Sequence, residues 1–190
     1  MKKLLALAFL LLGTAAHAAD ADRPFKFVAG LGVTGGGSKL ATVTYTNGNT
    51  QNINAGSGLM LYVGGEAPIG TLVSLQATFG YHSDTTHATN GDVTFSRYPI
   101  DVIAHVPVTD KLRFGLGAEF INNPRLTGSG FANITNTEFD STVGVLLEGE
   151  YRFTSWLGVK VRGLGARFKA TATGETARGD NIGVFCNFYF

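Results

Sequence analysis

The chain has 190 residues, enough for one domain, of which 15% are charged and 11% are aromatic. This composition excludes an intrinsically disordered chain, because disorder is associated with many charged and few aromatic residues. Fifteen Lys and Arg residues against 14 Asp and Glu residues give a formal net charge of +1, which excludes the basic character of nucleic-acid-binding domains. We therefore expect no nucleic acid among its partners.

The first 19 residues have the pattern of a cleaved signal peptide. Lys2 and Lys3 form a positive segment, Leu4–Leu12 is apolar, and Ala16-His17-Ala18 supplies a small-x-small cleavage site. Nine apolar residues are too few for a membrane-spanning helix, which needs about 20. The sequence thus predicts an exported protein whose mature domain covers residues 20–190. The alternative for this segment is a buried N-terminal helix.

After residue 24, apolar residues alternate with polar residues or glycines, and this period of two predicts strands. In one example, Phe114 and Leu116 share a face, while Arg113 and Glu119 lie on the other. Eight segments of about 10 residues repeat this pattern, the length that a tilted membrane strand requires. The segments cover residues 25–34, 58–67, 72–82, 93–106, 112–120, 143–153, 157–162 and 182–190.

The connections between these segments alternate between short and long, which predicts an antiparallel up-and-down meander with all long loops at one end. The short connections are 67–71, 107–111 and 153–156, and the long ones, rich in Thr, Asn and Gly, are 35–57, 83–92, 122–140 and 171–180. Within the first long loop, Asn47-Gly48 predicts a hairpin that continues the two flanking strands. Pro99 lacks a backbone donor and predicts a bulge in the fourth segment.

One face of the predicted strands collects the charges. Its members are Lys26, Arg97, Arg113, Arg152, Lys160, Arg162, Glu66, Asp101, Glu119, Glu148 and Glu150, and His105 shares this face. Six cations against five anions suit a closed interior, because a buried charge is tolerated only when it is paired. The opposite face is essentially uncharged, and a soluble protein with such a large apolar surface would aggregate.

These observations predict an all-β fold, namely an eight-stranded antiparallel up-and-down transmembrane β-barrel. Eight strands enclose only enough space for side chains, so we expect a filled, salt-bridged lumen. The alternative is a soluble sandwich or lipocalin-like barrel with the apolar faces packed inside.

The C-terminal segment ends in Phe190 and has alternating apolar residues, including Phe188, before it. This ending resembles the C-terminal signature of bacterial outer-membrane β-barrels. Together with the signal peptide, size and strand count, it makes the chain similar to the small OmpA/OmpX-type barrels and the porin-like outer-membrane superfamily. The resemblance implies location in the outer membrane, assembly by the barrel-assembly machinery through Phe188 and Phe190, a periplasmic position for both termini and external long loops.

Two groups of residues outside the charged face carry functional hypotheses. Arg167 and Lys169 fall on the lipid-facing side of the seventh segment, about one membrane height past Leu157, and are expected to contact lipopolysaccharide phosphates. His82-Ser83-Asp84, with His87 nearby, is the only candidate for nucleophilic chemistry. It differs from the His-x-Ser motif of lipid A 3-O-deacylases, and adjacent strand residues point to opposite faces.

We accordingly predict no catalytic residue, no metal and no cofactor. The expected function is that of a monomeric, non-enzymatic envelope protein that acts structurally or binds an extracellular ligand through its loops. Two alternatives remain open: an enzyme that modifies lipid A or phospholipid at the outer leaflet, and a narrow passage for small solutes.

Overall fold

A computed structural model describes residues 25–44, 47–88, 91–129 and 136–190, so the predicted signal peptide lies outside the described residues. No helix among the described residues is long and apolar enough to cross a membrane. The strands are β1 (Lys26–Gly36), β2 (Lys39–Thr44), β3 (Thr50–Asn54), β4 (Gly58–Ile69), β5 (Val73–Ala88), β6 (Gly91–Pro107), β7 (Leu112–Gly128), β8 (Thr137–Glu138), β9 (Thr142–Arg152), β10 (Leu157–Gly165), β11 (Arg167–Lys169), β12 (Thr176–Arg178) and β13 (Asn181–Tyr189).

Eight of these strands form a closed antiparallel barrel. Its order is β6-β5-β4-β1-β13-β10-β9-β7, and pairing of β6 with β7 closes the ring. The first and last strands meet along β1–β13, and beyond β13 the backbones of Phe27 and Phe190 exchange hydrogen bonds of 3.1 and 3.0 Å. Each barrel strand contains or overlaps one predicted segment, so the prediction of an eight-stranded antiparallel barrel is confirmed.

The side chains of the barrel follow the predicted alternation, with charged residues inside and apolar residues outside. The exposed apolar residues form a belt around the barrel, and several of them are more than 60% exposed: Phe27, Val33, Val63, Leu116, Val145, Leu147 and Ile182. The alternative of a soluble barrel with its apolar faces packed inside is therefore wrong. A belt of this kind is the surface that membrane barrels present to lipid.

The two ends of the barrel differ. The connections β4–β5, β6–β7 and β9–β10 are short and lie at the end of the barrel where β1 begins and β13 ends. We call it the short-turn end. At the opposite, loop end, the predicted long loop 83–92 is largely strand, because β5 continues to Ala88 and β6 begins at Gly91. The hairpins β2–β3 and β11–β12 form two separate two-stranded sheets. We predicted that the first loop continues β1 and β4; instead, its hairpin β2–β3 forms a sheet of its own.

The bulge near Pro99 lies on the neighbouring strand. Ser96 pairs with Arg125 while Tyr98 pairs with Asn122, so the extra residue belongs to β7. In β7, Asn123 takes a left-handed φ of 50°, a conformation that Asn tolerates better than most residues. The prediction of a bulge on the fourth barrel strand is therefore wrong: Pro99 is compatible with regular alternation in β6, and β7 takes up the irregularity.

Candidate functional site: the barrel interior and the loop end

Glu150 of β9 is the centre of hydrogen bonding near the short-turn end. Arg113 donates to its Oε2 through Nε at 2.9 Å and Nη2 at 2.6 Å, and Tyr189 donates to its Oε1 at 2.6 Å. Asn187 donates to Glu150 at 3.3 Å and accepts a hydrogen bond from Tyr62. Strands β4, β7, β9 and β13 are thereby cross-linked through the lumen.

Glu66 extends this set toward β4. Its Oε1 accepts from Arg113 Nη1 at 2.7 Å and from Arg152 Nη2 at 3.0 Å. Lys26, the first residue of β1, is half-buried and is the cross-strand neighbour of Glu66. Two guanidinium groups on one carboxylate give a charge-assisted network, which is stronger than isolated neutral hydrogen bonds.

Glu148 organises the middle of the lumen. Arg162 donates to Glu148 at 2.8 Å through Nε and to Asp101 at 2.7 Å through Nη1. Lys160 Nζ lies 3.2 Å and His105 Nε2 2.8 Å from the same Glu148 carboxylate. These five side chains are essentially inaccessible to solvent. We call them, with Glu150, Glu66, Arg113 and Arg152, the polar network.

Glu119 and Asp101 form a pair of carboxylates on facing positions of β7 and β6. Glu119 lies at the margin of the polar network, 4.0 Å from Arg162 Nη1. Thr78 donates to Asp101 at 3.2 Å. One oxygen of each carboxylate, Oε1 of Glu119 and Oδ1 of Asp101, is buried without a hydrogen-bond partner among the described residues.

Glycines facing the lumen make room for these large side chains. A methyl group on Gly30 would lie 2.1 Å from the Tyr62 ring, and one on Gly158 would lie 2.2 Å from Glu150. A methyl on Gly115 would meet His105 at 2.7 Å. The glycines on the charged face are thus steric complements of the network, because the lumen of an eight-stranded barrel is only as wide as the side chains that fill it.

Arg97 differs from the other interior cations. It is fully buried, and within the described part of the chain it forms no ion pair. Its Nη1 donates to the carbonyl of Ala55 at 2.6 Å, and its guanidinium lies 5.4 and 5.6 Å from the ring centres of Phe95 and Phe168. Its Nε and Nη2 have no partner among the described residues. Arg97 therefore lies outside the ion pairs of the polar network, against aromatic side chains nearer the loop end.

Toward the loop end the lumen is filled mainly by apolar side chains, which we call the apolar plug, and Ile103 extends this cluster along β6 to a position between Asp101 and His105. Its members are Val43, Ile53, Ala55, Val93, Phe95, Ile103, Ile121, Leu126, Phe139, Leu146, Leu164, Ala166, Phe168 and Ala170. The rings of Phe95, Phe139 and Phe168 contact one another with centroids 5.6 to 6.1 Å apart. We expected polar loops and did not predict this core, although the apolar residues Val43 and Ile53 in the β2–β3 hairpin could have indicated it.

Backbone hydrogen bonds join the loops to one another. Ser38 N donates to the carbonyl of Arg178 at 2.7 Å, and Arg178 N donates to Ser38 Oγ at 3.0 Å. These two hydrogen bonds connect the first loop to β12. On the other side of the β11–β12 hairpin, Thr171 N donates to Glu138 O at 3.0 Å, and Asp140 N donates to Lys169 O at 2.9 Å. These bonds connect the third loop to the fourth. We call the joined first, third and fourth loops the loop platform.

Asp180 anchors the base of the fourth loop. It accepts hydrogen bonds from Arg178 Nε at 2.8 Å and from the backbone N–H of Ala166 at 3.1 Å. The hydrogen bond from Arg178 is the main reason why the pKa of Asp180 lies below its usual value. The carboxylate thus ties the end of β12 to the barrel rim.

Arg167 and Lys169 do not lie on the seventh barrel strand, as the sequence suggested, but on β11 of the loop platform. Both side chains are exposed, while Phe168 between them is fully buried in the plug. At the opposite end, Phe188 stacks on Trp156 with a centroid distance of 6.4 Å. The backbone of Phe190 belongs to the β1 seam described above.

The residues considered for nucleophilic chemistry do not form a catalytic arrangement. His82 is buried in the lumen, where its Nε2 lies 2.9 Å from the Thr34 hydroxyl. Ser83 follows on the other face of β5, and Asp84 accepts a hydrogen bond from the backbone of Asn54 at 3.1 Å. The side chain of His87 lies outside the described residues. The described residues also hold no group of three or more His, Cys, Asp or Glu residues suited to a metal.

The sequence matches no protein-family model and no curated protein. The fold is similar to that of Ail, the attachment invasion locus protein of Yersinia pestis, in complex with the heparin analogue sucrose octasulfate. That similarity has a TM-score of 0.54 at 6% identity and covers 87% of this chain and 97% of that one. Neisserial surface protein A is similar with a TM-score of 0.53 at 11% identity, over 88% of this chain and 98% of that one.

Identities this low establish the fold alone. In fold, the chain is a closed eight-stranded barrel of the small bacterial outer-membrane type, and the predicted resemblance is confirmed at this level.

Proposed function

We propose that the protein is a non-enzymatic barrel of the bacterial outer membrane that binds an extracellular ligand through its loop platform. The observation that carries this proposal is the platform itself, in which hydrogen bonds join three loops above a fully packed lumen. Loop segments that hydrogen bonds hold on a rigid barrel are suited to recognition, because little conformational entropy is lost when they bind.

An outer-membrane location is supported by the apolar belt and by the fold that the chain shares with Ail and Neisserial surface protein A. In this setting the short-turn end faces the periplasm and the loop platform faces the exterior. Phe188 and Phe190 serve the barrel-assembly machinery, and the exposed Arg167 and Lys169 meet phosphates of lipopolysaccharide. The protein acts as a monomer, since the barrel closes on itself without a second chain.

The contents of the lumen count against the two alternative functions. A solute passage needs a continuous channel, whereas the polar network and the apolar plug fill the interior of the described barrel. A lipid A-modifying enzyme needs a nucleophile beside its base, whereas His82 lies inside the barrel beside Thr34 and Ser83 points to the opposite face.

The test uses cells that lack the protein, cells that produce it, and cells that produce a variant with a shortened fourth loop. In this variant Asn-Gly replaces residues 171–174, which keeps the β11–β12 ladder but removes the exposed tip. We expect adhesion to glycan-coated or host-cell surfaces only with the intact protein, together with identical lipid A mass spectra from all three strains.

Equal adhesion by all three strains would contradict the binding role. A gain or loss of one acyl chain on lipid A in the producing strain would instead establish an enzyme. A steady ion current through the purified barrel in planar bilayers would favour a passage.

A further inference from the structure

The loop platform contains a cleft of about 300 Å³ that is open to the exterior. It lies between β2, the β7–β8 region and the β11–β12 hairpin, so all three joined loops contribute to it. Its volume is at the lower end of the range of about 300–1,000 Å³ that is typical of small-molecule sites. A ligand of one or two rings fits this space.

The walls of this cleft are fixed before any ligand binds. The bonds between Ser38 and Arg178 hold one wall, and the bridge between Phe139 and Ala170 holds another. Phe139 and Ala170 also belong to the apolar plug, so the floor of the cleft rests on the packed interior of the barrel. The cleft therefore has walls that are joined to one another and a floor that rests on the barrel.

The lining combines an apolar floor with a hydroxyl-bearing rim. Leu40, Phe139 and Ala170 form part of the floor, and the rim includes Ser38, Thr173 and Thr176. A sugar ring has the matching chemistry, because its C–H face packs on apolar and aromatic surface while its hydroxyl groups exchange hydrogen bonds at the edge.

The charges in the cleft favour a neutral ligand. Lys39 and Glu175 contribute one positive and one negative charge, and within the described residues neither side chain forms an ion pair. A polyanion would meet the Glu175 carboxylate, whereas the hydroxyl groups of a neutral sugar can donate to Glu175 and accept from Lys39. The other exposed cations of the hairpin, Arg167, Lys169 and Arg178, do not line the cleft.

We propose that the loop-end cleft binds one or two rings of a neutral saccharide. This inference rests on the proposed function and names the class of ligand. Thr176 is the best position for a test, because it is exposed, lines the cleft and, among the described residues, makes no side-chain hydrogen bond on which the hairpin depends. Thr176→Trp fills the cleft, and Thr50→Trp makes the same exchange at an exposed position of β3 outside it.

The experiment measures saturation-transfer NMR and titration calorimetry on the protein in lipid nanodiscs. The probes are the neutral disaccharides lactose, cellobiose and N-acetyllactosamine, with sucrose octasulfate as the anionic probe. We expect at least one neutral disaccharide to bind, a loss of at least 10-fold in affinity with Thr176→Trp, and unchanged affinity with Thr50→Trp.

Three results would overturn the inference: no binding of any neutral probe, binding that Thr176→Trp leaves unchanged, or binding of sucrose octasulfate alone. The adhesion experiment with the shortened loop separates this failure from that of the proposed function. If adhesion needs the loop tip but Thr176→Trp adheres normally, the protein binds its ligand elsewhere on the platform. If neither the shortened fourth loop nor Thr176→Trp reduces adhesion, the proposed binding role itself is wrong.

Discussion

The two regions of the barrel interior are filled by opposite chemistry. Toward the short-turn end the lumen holds a polar network in which Glu148 and Glu150 each accept several hydrogen bonds. Toward the loop end it holds the apolar plug, to which the first, third and fourth loops contribute. The network depends on individual partners with defined geometry, whereas the plug depends on apolar contact area and tolerates changes that preserve volume.

Two fully buried arginines sharpen this contrast. Arg162 lies within the network and contacts the carboxylates of Glu148 and Asp101, while Arg97 lies against the plug and contacts Phe95, Phe168 and one carbonyl. The same type of residue thus has two different roles. Substitutions of the two arginines, and of their neighbours, should separate the regions.

The largest effect is expected from Arg162→Met. It leaves Glu148 and Asp101 buried without their shared guanidinium, and removal of one partner from a buried ion pair costs about 3–5 kcal/mol. Urea unfolding in phospholipid vesicles, followed by the fluorescence of the single Trp156, measures this loss. Arg167→Met, which removes an exposed cation of the loop platform that forms no ion pair among the described residues, is the control. A change below about 1 kcal/mol for Arg162→Met would show that the network does not stabilise the barrel.

The next effect is expected from Phe168→Ala in the plug. Removal of a buried Phe side chain costs about 3–5 kcal/mol in protein cores, and here the loss falls on the loop platform because Phe168 lies on β11. We expect fast proteolysis of the loops while the barrel itself still resists denaturation by detergent. Phe153→Ala, at an exposed aromatic residue of the short-turn end, should leave the loops protected. Unfolding of the whole barrel by Phe168→Ala would mean that plug and network are one cooperative unit.

A smaller effect is expected from Gly30→Ala, which tests how tightly the network region is packed. The added methyl group would lie 2.1 Å from the Tyr62 ring, and overpacking of a dense interior costs about 1–3 kcal/mol. Gly165→Ala is the matched control, because nothing lies within 4 Å of its added methyl group. The same urea titration should therefore separate the two variants. Equal midpoints would show that Tyr62 moves aside without cost.

The smallest effect is expected from Arg97→Met. Because Arg97 has no carboxylate partner among the described residues, an apolar side chain of similar length should change the free energy of unfolding by less than about 1 kcal/mol. The titration used for Arg162→Met gives the direct comparison. A loss as large as that of Arg162→Met would place Arg97 functionally within the network and remove the distinction between the two regions.

Much of the barrel could be predicted from sequence because the alternation that defines each strand involves only residues that are neighbours in the chain. Period-two alternation assigned residues such as Arg113 and Phe114 to opposite faces, and in the structure Arg113 is buried while Phe114 is exposed. The strands' extents were less predictable: β5 and β6 continue through most of the expected loop 83–92, since Thr- and His-containing segments also form strands when they have a partner.

Other features depend on contacts between distant parts of the chain. Which carboxylate meets which guanidinium follows from barrel closure and register: Arg162 reaches Asp101 61 positions away. The partner of Arg97 is a loop carbonyl, and the bulge next to Pro99 lies on the neighbouring strand. No local pattern specifies these choices.

By itself, the sequence determined the number of barrel strands, the inward and outward faces and the alternation of short and long connections, because each follows from residues that are close together along the chain. Only the tertiary structure decided the apolar plug, the joined loops and the cleft between them. These arise when strand closure brings Ser38, Phe139 and Phe168 to one end of the barrel, where apolar burial and backbone hydrogen bonding fix loops that no local propensity defines.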